Sequence, residues 1–111
     1  PQHITEMPVF ANKYPDMKLI IAHLGSKEHI DAIATAIHGN IYTDTSGAAS
    51  SGNNIVEYAV NCIGSQKILF GTDTYAFSFQ FGRIALSPLL LQDKENILWK
   101  NAISLFPKAF N

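Results

Sequence analysis

Imidazole and carboxylate groups, which bind metals and move protons, recur at equivalent points of this sequence. His23 closes the apolar run Lys18-Leu19-Ile20-Ile21-Ala22, Asp44 closes Asn40-Ile41-Tyr42-Thr43, and Asp73 follows Lys67-Ile68-Leu69-Phe70-Gly71-Thr72. Imidazole nitrogen and carboxylate oxygen suit zinc and similar divalent ions, and a carboxylate beside an activated water can serve as general base. The alternatives are plain: a strand-end histidine satisfied by a backbone carbonyl, and aspartates capping turns. Asp44 reads as a turn residue or a support for a ligand more readily than as a ligand itself.

The elements that must hold these groups can be read from the apolar pattern. Strands are expected near 18–23, 40–45 and 67–71, the first as a continuous apolar run buried on both faces, as in a parallel sheet. Lys27 to His38 has Ile30, Ile33, Ala34 and Ile37 at helical spacing, with Ser26 as N-cap and Gly39 as stop. Asn54 to Ile63 places Ile55, Tyr58, Ala59 and Cys62 on one helical face, which makes Cys62 a buried, inert thiol. Thr5 to Tyr14 reads as a helix, Tyr75 to Gly82 as an irregular aromatic loop, and Arg83 to Leu91 as a helix strained by Pro88. A last helix is capped by Asp93 and runs to about Phe106. Strand starts at 18, 40 and 67 have the spacing of successive βα units with right-handed crossovers. A (β/α)8 barrel takes about 250 residues. The expectation is therefore α/β: about three βα units, residues 1–111 forming a single partial barrel domain. An open three-stranded sheet is the other architecture of this length, with two exposed edges.

Composition narrows the partners. The chain has 111 residues, a net charge of -1, and Arg83 as its only arginine, which argues against nucleic acid and anionic membrane surfaces. No apolar run approaches the roughly 20 residues of a spanning helix, and the first residues lack the pattern of a secretory signal. With Cys62 as the only cysteine, disulfides and cysteine-based zinc sites are excluded, and the cytoplasm is the expected compartment. Only 15% of residues are charged, against about 25% in ordinary soluble domains. Part of the surface is therefore expected to be covered, by a second copy in a homo-oligomer or by a missing N-terminal part of the barrel.

Four segments in order carry a family resemblance. Tyr14-Pro15-Asp16-Met17-Lys18-Leu19-Ile20-Ile21-Ala22-His23-Leu24-Gly25, Asn40-Ile41-Tyr42-Thr43-Asp44-Thr45-Ser46-Gly47, Lys67-Ile68-Leu69-Phe70-Gly71-Thr72-Asp73 and Glu95 through Phe106 resemble the amidohydrolase-related metal-dependent hydrolases. The branch they resemble includes aminocarboxymuconate-semialdehyde decarboxylase and related aromatic-acid decarboxylases. The resemblance implies the C-terminal portion, strands six to eight, of a (β/α)8 barrel holding divalent metal, zinc above all. It implies that His23 binds the metal or its water, and that Asp73 is a metal ligand and base. The reaction implied is hydrolysis or decarboxylation of a small molecule through a metal-bound water. The family's His-x-His pair is absent, and Tyr75 stands where the family usually has proline. Catalytic zinc normally takes three protein ligands, so this chain by itself is expected to be inactive.

Two further classes stay open on the residues. One is a noncatalytic half-barrel that associates through exposed strand edges. The other is a small anion-binding module using Gly25 and Ser26, although the phosphate-loop pattern is incomplete. Ser46 to Asn53 is a connector or an active-site loop. Tyr75, Phe77, Phe79 and Phe81 line a pocket or pack the barrel top. His3, His29 and His38 read as solvated.

Overall fold

In a computed structural model of the chain, residues 6–47, 54–73 and 77–110 are described. Helix α1 (Glu6–Lys13) leads to strand β1 (Leu19–Ile21), helix α2 (Lys27–Ile33), strand β2 (Ile41–Asp44) and helix α3 (Ile55–Ile63). After a 3-10 turn at Ser65–Lys67 come strand β3 (Ile68–Leu69) and helix α4 (Phe77–Ala85). The chain then forms one helical run: α5 (Leu91–Glu95), a π-helical turn (Asn96–Lys100) and α6 (Asn101–Leu105).

The three strands form one parallel sheet in the order β1-β2-β3. Leu19, Ile20 and Ile21 pair with Ile41, Tyr42 and Thr43, and Thr43 and Asp44 pair with Ile68 and Leu69. Side chains alternate across a strand. One face therefore presents Ile41 and Ile68 to the helices, while Ile20, Tyr42, Asp44 and Leu69 share the other. The larger core cluster joins Ile68 to Leu24, Ile30, Ile55, Val56, Ala59, Ile84 and Ile97, and a smaller one joins Ile41 to Ala11 and Ile33. Two buried asparagines pin the strand starts. Asn40 Nδ2 donates to the carbonyls of Ala11, Tyr14 and Met17, and Asn101 Nδ2 donates to those of Ser65 and Ile68, both at 2.7 Å.

Several expectations are corrected. β1 is a margin of the sheet and is not buried on both faces: Ile20 is 38% exposed. α2 ends at Ile33, because Thr35 N–H and Oγ1 both turn back onto the Ala32 carbonyl and Ala36 N–H onto Ile33, tightening the chain. Ile37 is consequently exposed. In α3 the inward residues are Ile55, Val56 and Ala59, so Cys62 faces outward and is exposed. The segment read as a loop from Tyr75 to Gly82 is helical from Phe77, and the helix closes at Ala85, three residues before Pro88. Its buried residues, Gln80 and Ile84, are four apart, while the phenylalanines at every second position conceal that period in the sequence. Leu90, not Asp93, occupies the cap of the last helical run. The Asp93 carboxylate accepts a bond from the Ser65 hydroxyl at 2.7 Å.

Candidate active site at the carboxyl ends of the strands

Parallel strands end on the same side of the sheet, and α/β folds bind ligands there. Asp44 is the last residue of β2, His23 lies two residues past β1, and Gly71 lies two past β3. His23 adopts a left-handed backbone, φ 69°, which is uncommon for a residue with a side chain. The turn is fastened by β2. The Thr43 hydroxyl lies 2.9 Å from the Ile21 carbonyl and 3.1 Å from that of His23. The His23 N–H donates to Asp44 Oδ1 at 3.0 Å.

The same Asp44 oxygen accepts the Ser46 N–H at 3.0 Å and the Ser46 hydroxyl at 2.5 Å. An aspartate accepting the N–H two residues ahead forms an Asx turn. That turn delivers Ser46 to the His23 ring, whose Nδ1 lies 3.0 Å from both the Ser46 carbonyl and the Ser46 hydroxyl oxygen. A carbonyl can only accept, so Nδ1 carries the proton. In the neutral ring Nε2 then holds the lone pair, and it makes no hydrogen bond to the described residues. Gly47 makes this packing possible. Its φ is +80°, and a Cβ there would lie 2.5 Å from His23 Nδ1. The Thr45 hydroxyl lies 3.1 Å from both Gly71 N and Gly71 O, which ties the ends of β2 and β3 together.

His23, Asp44, Ser46 and Gly71 are therefore brought together. Asp73 stands two residues beyond Gly71, exposed and also left-handed, φ 55°. Among the described residues no group of three or more His, Cys, Asp or Glu is placed to hold a metal. What the site does fit is a single imidazole ligand with its tautomer set from behind, the usual support of a metal-binding histidine.

Other residues fall elsewhere. His29 is half-buried and engaged, its Nδ1 accepting the Ser26 N–H at 3.0 Å, so that the start of α2 is occupied by its own side chain. His38 is exposed, and His3 and Tyr75 lie outside the described residues. Phe77 and Phe81 stack at 6.1 Å and both meet Phe70 edge-on, just ahead of Gly71. Of the segment from Ser46 to Asn53, offered by the sequence as a connector or an active-site loop, Ser46 and Gly47 are buried beside His23 and residues 48–53 lie outside the described residues; the hold of Ser46 on the His23 ring was not read from the sequence, and the Asp-Thr-Ser spacing of an Asx turn was its available signal. It also missed Arg83 as a site neighbour, for which no sequence signal exists. Its Nη2 donates to the Thr45 carbonyl at 3.2 Å and to Gln80 Oε1 at 3.0 Å. Burial holds its guanidinium below the ordinary arginine value, with Glu57 opposing.

A parallel sheet with polar side chains gathered at its strand ends is common to barrel and open α/β folds, and comparison with known proteins separates them. The sequence pattern of the amidohydrolase family matches residues 2–108, and the chain belongs to that family. No curated protein matches it. Among solved structures it is similar to amidohydrolase 2 from Bifidobacterium longum subsp. infantis, with 23% identity and a TM-score of 0.75, over 94% of this chain and 45% of that one. It is also similar to an amidohydrolase from Burkholderia multivorans with bound zinc, at 14% identity, TM-score 0.74 and coverage of 96% and 49%. A third is a dihydroxybenzoic acid decarboxylase from Polaromonas sp. JS666 with bound manganese and the inhibitor 2-nitroresorcinol, at 21% identity, TM-score 0.74 and coverage of 98% and 40%. The chain spans less than half the length of each of these proteins. The fold is α/β, three βα units of the C-terminal part of a (β/α)8 barrel. Among the described residues no helix is long and apolar enough to cross a membrane.

Proposed function

We propose that this chain carries part of the active site of a metal-dependent amidohydrolase-type enzyme, a hydrolase or a related decarboxylase acting on a small molecule. The observation that supports this reading best is the His23 ring, held at Nδ1 by Ser46 with Nε2 left as a lone-pair donor at the strand ends. His23 and Asp73 would hold a divalent metal, zinc by the chemistry of imidazole and carboxylate donors. When bound, the metal supplies Lewis-acid activation of water or of a substrate oxygen. The chain's own residues do the rest. Asp73 takes up and returns a proton, Asp44 orients Ser46, and Ser46 keeps His23 in the binding tautomer. Residues 1–111 act as one partial-barrel unit in a cytoplasmic protein, and the remaining ligands come from the rest of a barrel or from another chain.

The test is metal content and turnover of the intact enzyme for His23→Ala and Asp73→Asn. Loss of both quantities is expected, and unchanged values would overturn the assignment. A second reading, a noncatalytic half-barrel that associates through its edge, draws on one observation: Ile20 of the marginal strand and Ala22 just past its end are exposed. Sedimentation at micromolar concentration tests it. A folded, metal-free oligomer supports association without catalysis, and a monomer removes it.

A further inference from the structure

We propose that Arg83 is a positioning residue: with Asp44 it clamps the Thr45–Ser46 peptide unit and thereby sets the tautomer of His23. The two contacts fall on opposite ends of one planar group. The Arg83 guanidinium donates to the Thr45 carbonyl at 3.2 Å, and the Asp44 carboxylate accepts the Ser46 N–H at 3.0 Å. The carbonyl of residue 45 and the N–H of residue 46 belong to the same peptide, which is rigid. A cation on its oxygen and an anion on its hydrogen oppose any flip of that plane. The chain leaves this peptide directly into Ser46, whose carbonyl and hydroxyl meet His23 Nδ1.

The placement of Arg83 is costly, which argues for a role. Gln80, its neighbour on α4, is fully buried, and Arg83 Nε, Arg83 Nη1 and Gln80 Nε2 are buried without an acceptor among the described residues. No ion pair with a described carboxylate relieves the charge; Glu57 acts only at longer range. Buried donors without partners destabilise a fold, and native chains carry such conflicts mainly where function requires them. Thr45 itself is fully buried and bonded through its N–H to Leu69 and through its hydroxyl to Gly71. Among the described residues, Arg83 is the side-chain donor that meets the Thr45 carbonyl.

The catalytic consequence rests on the amidohydrolase reading above, but the tautomer does not, so the two fail separately. The experiment is 15N NMR of imidazole-labelled, metal-free full chain at about pH 9, where an ordinary histidine is neutral. His23 is expected as Nδ1–H. His29, which accepts at Nδ1, is expected as Nε2–H and serves as the internal reference. Arg83→Met is expected to raise the Nε2–H to Nδ1–H ratio of His23 about tenfold, equivalent to about 1.4 kcal/mol, with His29 unchanged. Arg83→Lys, which keeps a cationic donor, is expected to restore it. Ile84→Ala, a core truncation on the same helix, is expected to lower stability without moving the His23 ratio. If Arg83→Met does not fold, Arg83→Gln reads the same signal. A folded Met or Gln variant with the His23 ratio unchanged overturns the proposal, and so does an equal shift in Ile84→Ala.

Discussion

Removal of the Asp44 carboxylate tests whether the site is assembled around it. One oxygen of Asp44 accepts from the His23 N–H, the Ser46 N–H and the Ser46 hydroxyl. A hydrogen bond to a charged group is worth about 1.5–3 kcal/mol. Three bonds sharing one acceptor do not add, because contacts within one network are coupled. Asp44 is also only half-buried, so water replaces part of what Asp44→Ala removes. The expected loss for alanine is about 3 kcal/mol. Asp44→Asn keeps a neutral oxygen in place, and neutral bonds are about half as strong, so about 1.5 kcal/mol is expected. Urea unfolding of the full chain followed by far-ultraviolet circular dichroism measures both, provided the denaturant slope stays constant. A loss below about 0.5 kcal/mol for alanine, the range of ordinary surface changes, would refute the reasoning. So would an asparagine variant as unstable as the alanine one.

Two more outcomes follow from the same geometry. Gly47→Ala meets both a left-handed backbone, worth about 1–2 kcal/mol, and the His23 ring. Gly39→Ala, at φ +62°, meets only the flexible end of Lys67. Gly47→Ala is therefore expected to be the more destabilising by urea unfolding, and equal losses would remove the ring-contact argument. The Tyr58 hydroxyl donates to Asp31 at 2.5 Å, and that bond, with Cys62 adding to it, holds its ionisation well above the ordinary tyrosine range. Because the folded value is raised, the contact stabilises fully below about pH 10, the unfolded value. It is lost as pH rises through the folded value. Phenolate absorbance should show a late component from Tyr58 that Asp31→Asn returns to the ordinary range; an unchanged titration in that variant would exclude the Asp31 contact as the cause.

The alternation of strands and helices was legible because the apolar run ending at His23 and the helical periods after it do not depend on distant contacts. His23 and Asp44 were legible for the same reason: they end such runs. The Asp44 reading as a support for another residue matches its bonds to His23 and Ser46. The misreadings have local causes. Phenylalanine at 77, 79 and 81 conceals a helix whose inward residues are Gln80 and Ile84. Thr35 ends α2 through a side-chain bond that propensity does not register. In α3 the apolar spacing favours Cys62, but the inward face runs through Ile55, Val56 and Ala59 and leaves Cys62 exposed. Arg83 reaches a carbonyl 38 residues away, a pairing only the folded chain creates.

β1 and β3 are the margins of the sheet and β2 its middle, and three supports of the His23 turn come from β2 and the turn that directly follows it: the Thr43 hydroxyl, the Asp44 carboxylate and Ser46. A slip of β2 by a single residue would send alternate side chains to the opposite face. All three supports would be withdrawn together, because Thr43, Asp44 and Ser46 lie within four residues of one ribbon. A misregistered chain thus keeps none of these holds on His23, and correct pairing of the central strand doubles as quality control for the site.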